Sequence, residues 1–484
     1  MGTYERTLRK SLDWNLVLTY LALILIGWIN IYASVHSSEP STIFDFEFRS
    51  GKQFVWILTS IGLALFILFA LNPKFWPTVS LPAYILVLGL LVAVIFLGTE
   101  VKGSRSWFNF GVVSFQPAEV SKITTSLLLA LIMSRPSFKL SKTRDFFITA
   151  LVIGLPMLVI LAESETGSAL VYVGFILVLY REGLSGWTLV AIGMAILIFI
   201  LTLTCSPLVS VITLIGLISL FNAFDSGRPG RWLLTFVPLI LLMAFLPKIF
   251  AALADNPSIP EMVKGIKPLW VIVGVSLLCM PFLMVKAWRV KDRFLQLSCL
   301  GFIAGVLMVF STDFIFNNVL QDHQRKRIEV LLGMKDDPSG VGYNVNQSMI
   351  AIGSGGFTGK GFLNGTQTTY GFVPEQSTDF IFCTVGEEWG FLGCALVILL
   401  YVMMIWRIIH DAERSREPFT RIYGYCVAAC IFMHLFINIG MTIGLMPVIG
   451  IPLPFLSYGG SSLWAFTIML FIFIALDRQE KKYF

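Results

Sequence analysis

Residues 14–35 read WNLVLTYLALILIGWINIYASV, with no acidic or basic side chain among them. An α-helix rises 1.5 Å per residue, so about 20 such residues cross the hydrocarbon of a bilayer. Arg6, Arg9 and Lys10 precede the run and no small-residue cleavage site follows it, which marks a retained first span. Working outward, apolar runs recur at residues 53–71, 77–98, 117–134, 146–162 and 167–181, then at 186–204, 205–224, 232–253 and 269–286. The last four are 294–316, 380–406, 420–444 and 462–477. The stretch 186–224 is too long for one helix and breaks at Thr204-Cys205-Ser206-Pro207, a hairpin tip. The pattern predicts an all-α, polytopic membrane helical bundle of about 14 transmembrane helices.

Composition agrees. Of 484 residues, 56% are hydrophobic and 13% charged, which excludes a water-soluble enzyme. The net charge of +6 is explained by position. Counted from a cytoplasmic N-terminus, the basic side chains gather in the inner connections: Lys74; Arg135, Lys139, Lys142 and Arg144; Arg181; Arg228 and Arg231; Lys286, Arg289, Lys291 and Arg293; Arg407, Arg414, Arg416 and Arg421; and the tail Arg478, Lys481 and Lys482. This positive-inside pattern places both termini in the cytoplasm and makes nucleic acid unnecessary as a partner. The seven cysteines show neither a disulfide framework nor metal-ligand spacing, so no metal site is expected from them.

On the outer face one long connection, residues 317–378, is the first functional suspect. Lys102 to Gln116, rich in Gly, Trp and Phe, and Pro447 to Ser462, with Pro, Gly, Ser and Tyr, are expected to converge with it, because irregular backbone at membrane depth must be buried in protein or line a polar cavity. Glu119 and Lys122, in the helix start Gln116-Pro117-Ala118-Glu119-Val120-Ser121-Lys122, share a helix face: either an i,i+3 ion pair or a polar wall. Glu163 and Glu165 end the fifth span as a solvated turn or a carboxylate pair. Asp379 stands where Gly371-Phe372-Val373-Pro374-Glu375-Gln376-Ser377-Thr378-Asp379-Phe380-Ile381-Phe382 enters an apolar helix, as an N-cap or as a carboxylate kept ionised by the helix dipole. Gly386 and Gly390 read as a small-residue packing pair. Gly353-Ser354-Gly355-Gly356-Phe357-Thr358-Gly359-Lys360-Gly361 fails the P-loop spacing. It remains either a flexible loop or a backbone nest for another anion, with Arg325, Lys326, Arg327 and Lys360 as candidate charges.

These motifs in order resemble the SEDS family (shape, elongation, division and sporulation), and within it the RodA rather than the FtsW branch. The resemblance rests on Gln116-Pro117-Ala118-Glu119 with Lys122; Gly342-Tyr343 through Gln347; Ile350-Ala351-Ile352-Gly353-Ser354-Gly355-Gly356; Gly359-Lys360-Gly361; and Gly365-Thr366-Gln367. It continues through Pro374-Glu375, Thr378-Asp379-Phe380-Ile381-Phe382, Gly386-Glu387-Glu388, Asn438-Ile439-Gly440-Met441 and Ser457-Tyr458-Gly459-Gly460-Ser461-Ser462. It divides the chain into core residues 1–185, with six spans, an extra four-helix insertion at 186–293, and core residues 294–484, with four spans and the large outer loop. Three positions depart from the family: Ser164-Glu165 replaces Pro-Asp, Ser377 replaces His, and Ser106, beside Arg105, replaces Arg.

The resemblance implies a peptidoglycan glycosyltransferase that polymerises lipid II into β-1,4-linked glycan at the outer face of the bacterial cytoplasmic membrane during elongation. Asp379 would be the general base and undecaprenyl diphosphate the leaving group of an inverting transfer. Glu119, Lys122, Arg105, Glu165, Arg325, Arg327, Lys360 and Ser457 would bind substrate and diphosphate. A divalent cation, Mg or Mn, would share the diphosphate's charge. The implied partners are lipid II, a class B penicillin-binding transpeptidase and other elongation-complex membrane proteins. Two rivals are a lipid II flippase, which would place ionisable groups at the midplane on paired repeats, and a non-catalytic scaffold for the transpeptidase.

Overall fold

The computed structural model describes residues 12–35, 42–101, 103–109, 111, 114–225, 227, 229–254, 267–318, 320, 325–326, 329 and 342–482. The helices follow the apolar runs: α1 (Trp14–Val35), α2 (Arg49–Phe69) and α3 (Phe75–Leu97). Three short strands follow, β1 (Thr99–Val101), β2 (Ser104–Asn109) and β3 (Ser114–Phe115). Then come α4 (Pro117–Met133), α5 (Thr143–Ala162), α6 (Thr166–Val171), a 3₁₀ turn (Tyr172–Gly174) and α7 (Phe175–Arg181). A second series comprises α8 (Gly186–Thr204), α9 (Pro207–Asp225), α10 (Pro229–Ala254), α11 (Pro268–Val290) and α12 (Arg293–Asn318). The chain ends with α13 (Tyr343–Ser354), α14 (Thr366–Thr369), α15 (Ile381–Arg414), α16 (Pro418–Thr442) and α17 (Gly460–Lys482).

Eleven helices among the described residues are long and apolar enough to span a bilayer, against the 14 expected. The other three expected runs are helical as well. α4 has 17 residues, the apolar helix Thr166–Arg181 is interrupted by a 3₁₀ turn, and α10 carries Pro238 and Pro247 in its interior. Pro117 opens α4 as expected, and α8 and α9 end and begin either side of the 204–207 hairpin tip.

The chain forms two compact units, Met1–Leu184 with Asp336–Phe484, and Ser185–Lys335. The second unit thus includes α12, which the sequence reading assigned to the core. Within it α9 packs on α10 and α12, and α12 on α8 and α11, around Ile198, Val211, Leu214, Phe302 and Val309. Asn222 Nδ2 donates to Ser298 Oγ at 2.9 Å, joining α9 to α12.

In the first unit α15 packs on α16 and α1, α4 on α3 and α16, and α17 on α2. Its core holds four fully enclosed tyrosines, and each phenol finds a partner, as burial in an apolar medium requires. Tyr20 pairs with Thr467 Oγ1 (3.0 Å), Tyr172 with Ser121 Oγ (2.6 Å), Tyr423 donates to the Met469 carbonyl (3.1 Å), and Tyr401 to that of Pro454. The outward faces are apolar, with Phe96 77% exposed and Leu86 62% exposed, as suits lipid.

α15 is broken at Gly390, whose φ of 62° and ψ of −158° are non-helical. The groups freed there pair with the 355–361 loop: Lys360 and Gly361 N–H donate to the carbonyls of Glu387 and Glu388, and Phe391 and Leu392 N–H donate to those of Gly356 and Phe357. A Cβ on Gly355 would fall 1.9 Å from the Gly386 carbonyl oxygen, and one on Gly359 2.1 Å from that of Glu388, so neither residue tolerates a side chain. Gly390 is a helix break, and it and Gly386 also admit close packing: a Cβ on Gly386 would fall 2.9 Å from Ile352 Cγ1 and one on Gly390 2.3 Å from Gly359 N. The amides of Lys360 and Gly361 in the glycine-rich loop are committed to α15.

Candidate active site

The segment before α15 folds back on itself: the Thr378 and Phe380 N–H groups both donate to the Glu375 carbonyl, and Glu375 adopts a φ of 51°. α15 begins at Ile381 with no side-chain cap, so Asp379 is not an N-cap. Its main-chain oxygen accepts from Asn438 Nδ2 of α16 at 2.8 Å, and the same amide donates to the Ile451 carbonyl at 2.7 Å. Asn438 thus ties the Asp379 backbone to the 449–452 connection. Gly450 (φ 74°) lies against the carboxylate: a Cβ there would stand 3.3 Å from Asp379 Oδ2. Asp379 itself is half-buried.

Ser457 secures the segment from the other side. Its hydroxyl donates to the Thr378 carbonyl at 2.6 Å and accepts from Leu453 N–H at 2.8 Å, while Tyr458 N–H donates to the Ser377 carbonyl at 2.8 Å. The role observed for Ser457 is to hold backbone. Arg49, at the start of α2, donates from Nη1 to Ser377 Oγ at 2.5 Å, lies 3.9 Å from Glu375 Oε2, and places its guanidinium 5.7 Å from the Tyr458 ring centre. Its side chain is 45% exposed, so it offers donors to the mouth beside Asp379. Sequence reasoning missed Arg49. The available signal was a basic residue at the outer end of a span, against the positive-inside pattern.

A cavity of about 550 Å³ opens here, walled by Arg49, Trp56, Trp107, Thr378, Tyr458 and Trp464 among others. Its far wall is a small antiparallel sheet in the order β1-β2-β3, with Trp107 opposite Thr99 and Phe108 opposite Phe115. The expected convergence of 102–116, 447–462 and the segment before Asp379 is observed among the described residues.

Glu165 bonds to this sheet: its carboxylate accepts from Ser106 Oγ and Gln116 Nε2, both at 3.2 Å. Glu163, just beyond the end of α5, is 3% exposed, and neither carboxylate oxygen has a hydrogen-bond partner among the described residues. Burial first, and then the charge of Glu165, push its pKa up to about 8.

The other expected binding residues lie elsewhere. Lys122 and Glu119 are 1% and 3% exposed; Lys122 Nζ reaches Glu119 Oε1 at 2.8 Å and His434 Nε2 at 2.9 Å, and lies 5.1 Å from the Phe466 ring centre. Expected to grip diphosphate, Lys122 is instead enclosed where α4, α16 and α17 meet, with Glu119 and His434 supplying the acceptors that a buried ammonium needs. Lys360 pairs with Glu387 at 2.7 Å and also donates to Thr366 Oγ1 at 2.8 Å. Glu387 in turn accepts from the Gln367 and Thr368 N–H groups, both at 2.9 Å, as the anchor of the outer loop. Arg105 faces Glu100 at 3.5 Å on the exposed sheet. Arg325 belongs to the second unit, paired with Glu329 at 3.0 Å, and Arg327 lies outside the described residues. Among the described residues no group of three or more His, Cys, Asp or Glu side chains is placed to hold a metal ion.

A profile of the cell cycle protein family FtsW/RodA/SpoVE matches residues 13–228 and 269–482, running into the region 186–293 that the sequence reading set apart. The chain is 30% identical over 478 residues to the peptidoglycan glycosyltransferase RodA of Treponema pallidum, covering 97% of this chain and 98% of that one. It is 29% identical over 460 residues to the peptidoglycan glycosyltransferase MrdB of Escherichia coli K12, covering 94% and 90%. Among solved structures, a chain of a peptidoglycan synthase complex that coordinates polymerization and crosslinking superposes with a TM-score of 0.58 at 24% identity, over 97% of this chain and 98% of that chain. That likeness supports the fold.

Proposed function

The chain belongs to the FtsW/RodA/SpoVE family, and from this membership we propose that it is a peptidoglycan glycosyltransferase of the bacterial cytoplasmic membrane, with both termini in the cytoplasm, that polymerises lipid II on the outer face. The observation that carries the reading is the setting of Asp379: a half-buried carboxylate, backbone clamped by Asn438, immediately after a residue that lines the Arg49 cavity.

The chemistry follows from that setting. The 4-hydroxyl of one sugar attacks the anomeric carbon of another, and the bond from that carbon to the diphosphate oxygen breaks. Asp379 accepts the hydroxyl proton, and the configuration inverts to a β-1,4 link. Diphosphate leaves without protonation when its charge is met by donors already in place, and Arg49 supplies them at the mouth. Asn438 and Ser457 hold the segment so that base and acceptor meet at bonding distance. Lys122 acts at one remove, through His434, whose Nδ1 lies 3.0 Å from the Pro452 carbonyl of the connection beside Asp379. A transpeptidase of the class B penicillin-binding type is the proposed partner, supported by the likeness to a chain of a synthase complex that joins polymerization to crosslinking.

Purified protein given labelled lipid II should yield glycan ladders, and a folded Asp379→Asn variant should yield none. Ladders of normal length from that variant would remove Asp379 as the base.

A further inference from the structure

At the opposite end of α15 from Asp379, the cytoplasmic end of the proposed orientation, charged side chains enclose a second space. A cavity of about 640 Å³ lies where the start of α1 meets the ends of α15 and α17, walled by Asp13, Trp14, Arg407, Arg414, Arg416 and Lys481 among others. Its inner charges are buried: Asp13, Asp411 and Asp477 are 5%, 1% and 6% exposed. Arg407 Nε donates to Asp13 Oδ2 at 2.6 Å, and its Nη2 lies 3.4 Å from Asp411 Oδ1. Lys481 Nζ stands 2.6 Å from Asp477 Oδ2 and 3.7 Å from Asp411 Oδ2. Arg478, next in the chain to Asp477, turns to the Leu68 carbonyl at 3.1 Å and to the Phe69 ring. Three carboxylates thus share two cations, and neither oxygen of Asp411 receives a hydrogen bond among the described residues. An enclosed carboxylate in that state calls for a further donor.

The rim has the opposite balance. Arg414 and Arg416 are exposed, and Arg414 enters no ion pair among the described residues. The carboxylate beside them, Glu480, is already taken by Ser415 Oγ at 2.6 Å and Arg416 N–H at 3.1 Å. Trp14, 48% exposed, opens the spanning helix α1 at this level, where an indole meets lipid head groups. The cavity is therefore negative within and positive at its mouth. An ion of one sign satisfies half of it, whereas a molecule carrying a primary ammonium and a phosphate a short chain apart satisfies both. We propose that this cavity seats the phosphoethanolamine head group of a phospholipid, its ammonium inward toward Asp411 and Asp477 and its phosphate outward on Arg414 and Arg416. The ammonium brings the donors that Asp411 lacks, and the guanidinium fork matches phosphate oxygens. The site goes beyond the polymerase reading and shares no residue with the Asp379 segment.

The test holds the full chain in detergent and titrates it with dihexanoyl phospholipids, the bound lipid being counted by native mass spectrometry. The wild type should retain one phosphatidylethanolamine about tenfold more tightly than phosphatidylcholine, which has no N–H donor, or phosphatidylglycerol, which has no ammonium. Asp411→Asn should erase that preference without weakening phosphatidylglycerol, and Arg414→Gln combined with Arg416→Gln should weaken all three lipids about tenfold. Equal binding of the three lipids by the wild type, tighter binding of phosphatidylglycerol, or an undiminished preference in Asp411→Asn overturns the proposal. Free phosphoethanolamine bound as tightly as the lipid also overturns it, since the ligand would then be a soluble phosphate ester. Should Asp411→Asn not fold, the exposed rim pair decides: unaltered phosphatidylethanolamine binding in the double variant overturns the site.

Discussion

Lys122 Nζ lies 2.9 Å from His434 Nε2, inside the first unit and 312 residues apart in the chain. A charged ammonium can only donate, so His434 Nε2 is the acceptor and its proton sits on Nδ1, where it is donated to the Pro452 carbonyl at 3.0 Å. The pair joins α4 to the connection that flanks Asp379.

Removing one partner of the enclosed Glu119–Lys122 pair leaves the other charge uncompensated. Lys122→Met should cost about 3–5 kcal/mol, read as a large fall in Tm in detergent. Glu119→Gln combined with Lys122→Met should recover much of it. A single variant as stable as the wild type would contradict this burial.

Asn438→Ala removes both hydrogen bonds that join the Asp379 backbone to the Ile451 carbonyl. We expect kcat for glycan synthesis to fall about 100-fold with KM little changed, because misplacing a reacting group by about 1 Å costs that much. A change confined to KM would assign Asn438 to substrate binding instead.

Arg49→Gln should lower kcat/KM about 100-fold, the usual cost of removing one preorganised donor from a developing anion. Arg49→Lys should recover part of the loss, since it keeps the charge but not the two-pronged fork. Equal rates for all three proteins would exclude Arg49 from the leaving-group site.

Glu163 provides a pH signature. Burial holds its folded pKa at about 8, above the ordinary carboxylate value of 4.5, so the folded state binds the proton more tightly. The stability this contributes is present in full below pH 4.5 and is lost as pH rises through about 8. The wild-type Tm should therefore decline between pH 5 and 9 relative to Glu163→Gln. Parallel curves for the two proteins would show that Glu163 does not titrate in this window.

Gly450→Ala places a methyl 3.3 Å from Asp379 Oδ2 and a side chain at a φ of 74°. The left-handed backbone costs about 1–2 kcal/mol, and the carboxylate must shift by a few tenths of an ångström. Loss of activity should exceed loss of stability when rates and Tm are measured on the same preparation.

Much of the bundle was legible before any coordinates, and the limits of that reading are specific. The starts of α4 and the α8–α9 hairpin were marked by Pro117 and by Thr204–Pro207, because proline acts on its own backbone and needs no distant partner. The break at Gly390 was not legible, since the groups it frees are satisfied by a loop about 30 residues earlier in the chain. Glu119 and Lys122 were correctly placed on one face by their i,i+3 spacing, yet nothing local revealed that His434 and Phe466 would close over them.

The amino-acid order alone determined that the chain lies in a membrane and roughly where its helices run, because hydrocarbon forces each spanning segment to satisfy its backbone internally, and apolar run length records that demand. Tertiary structure alone decided which charges meet at the mouth. Arg49 reaches Ser377 across 328 residues of chain, whereas Lys122 and Lys360, the more conspicuous cations in the motifs, are taken up by Glu119 and Glu387. A buried charge is placed by whichever counter-charge the packing brings within reach, and that choice is made in three dimensions.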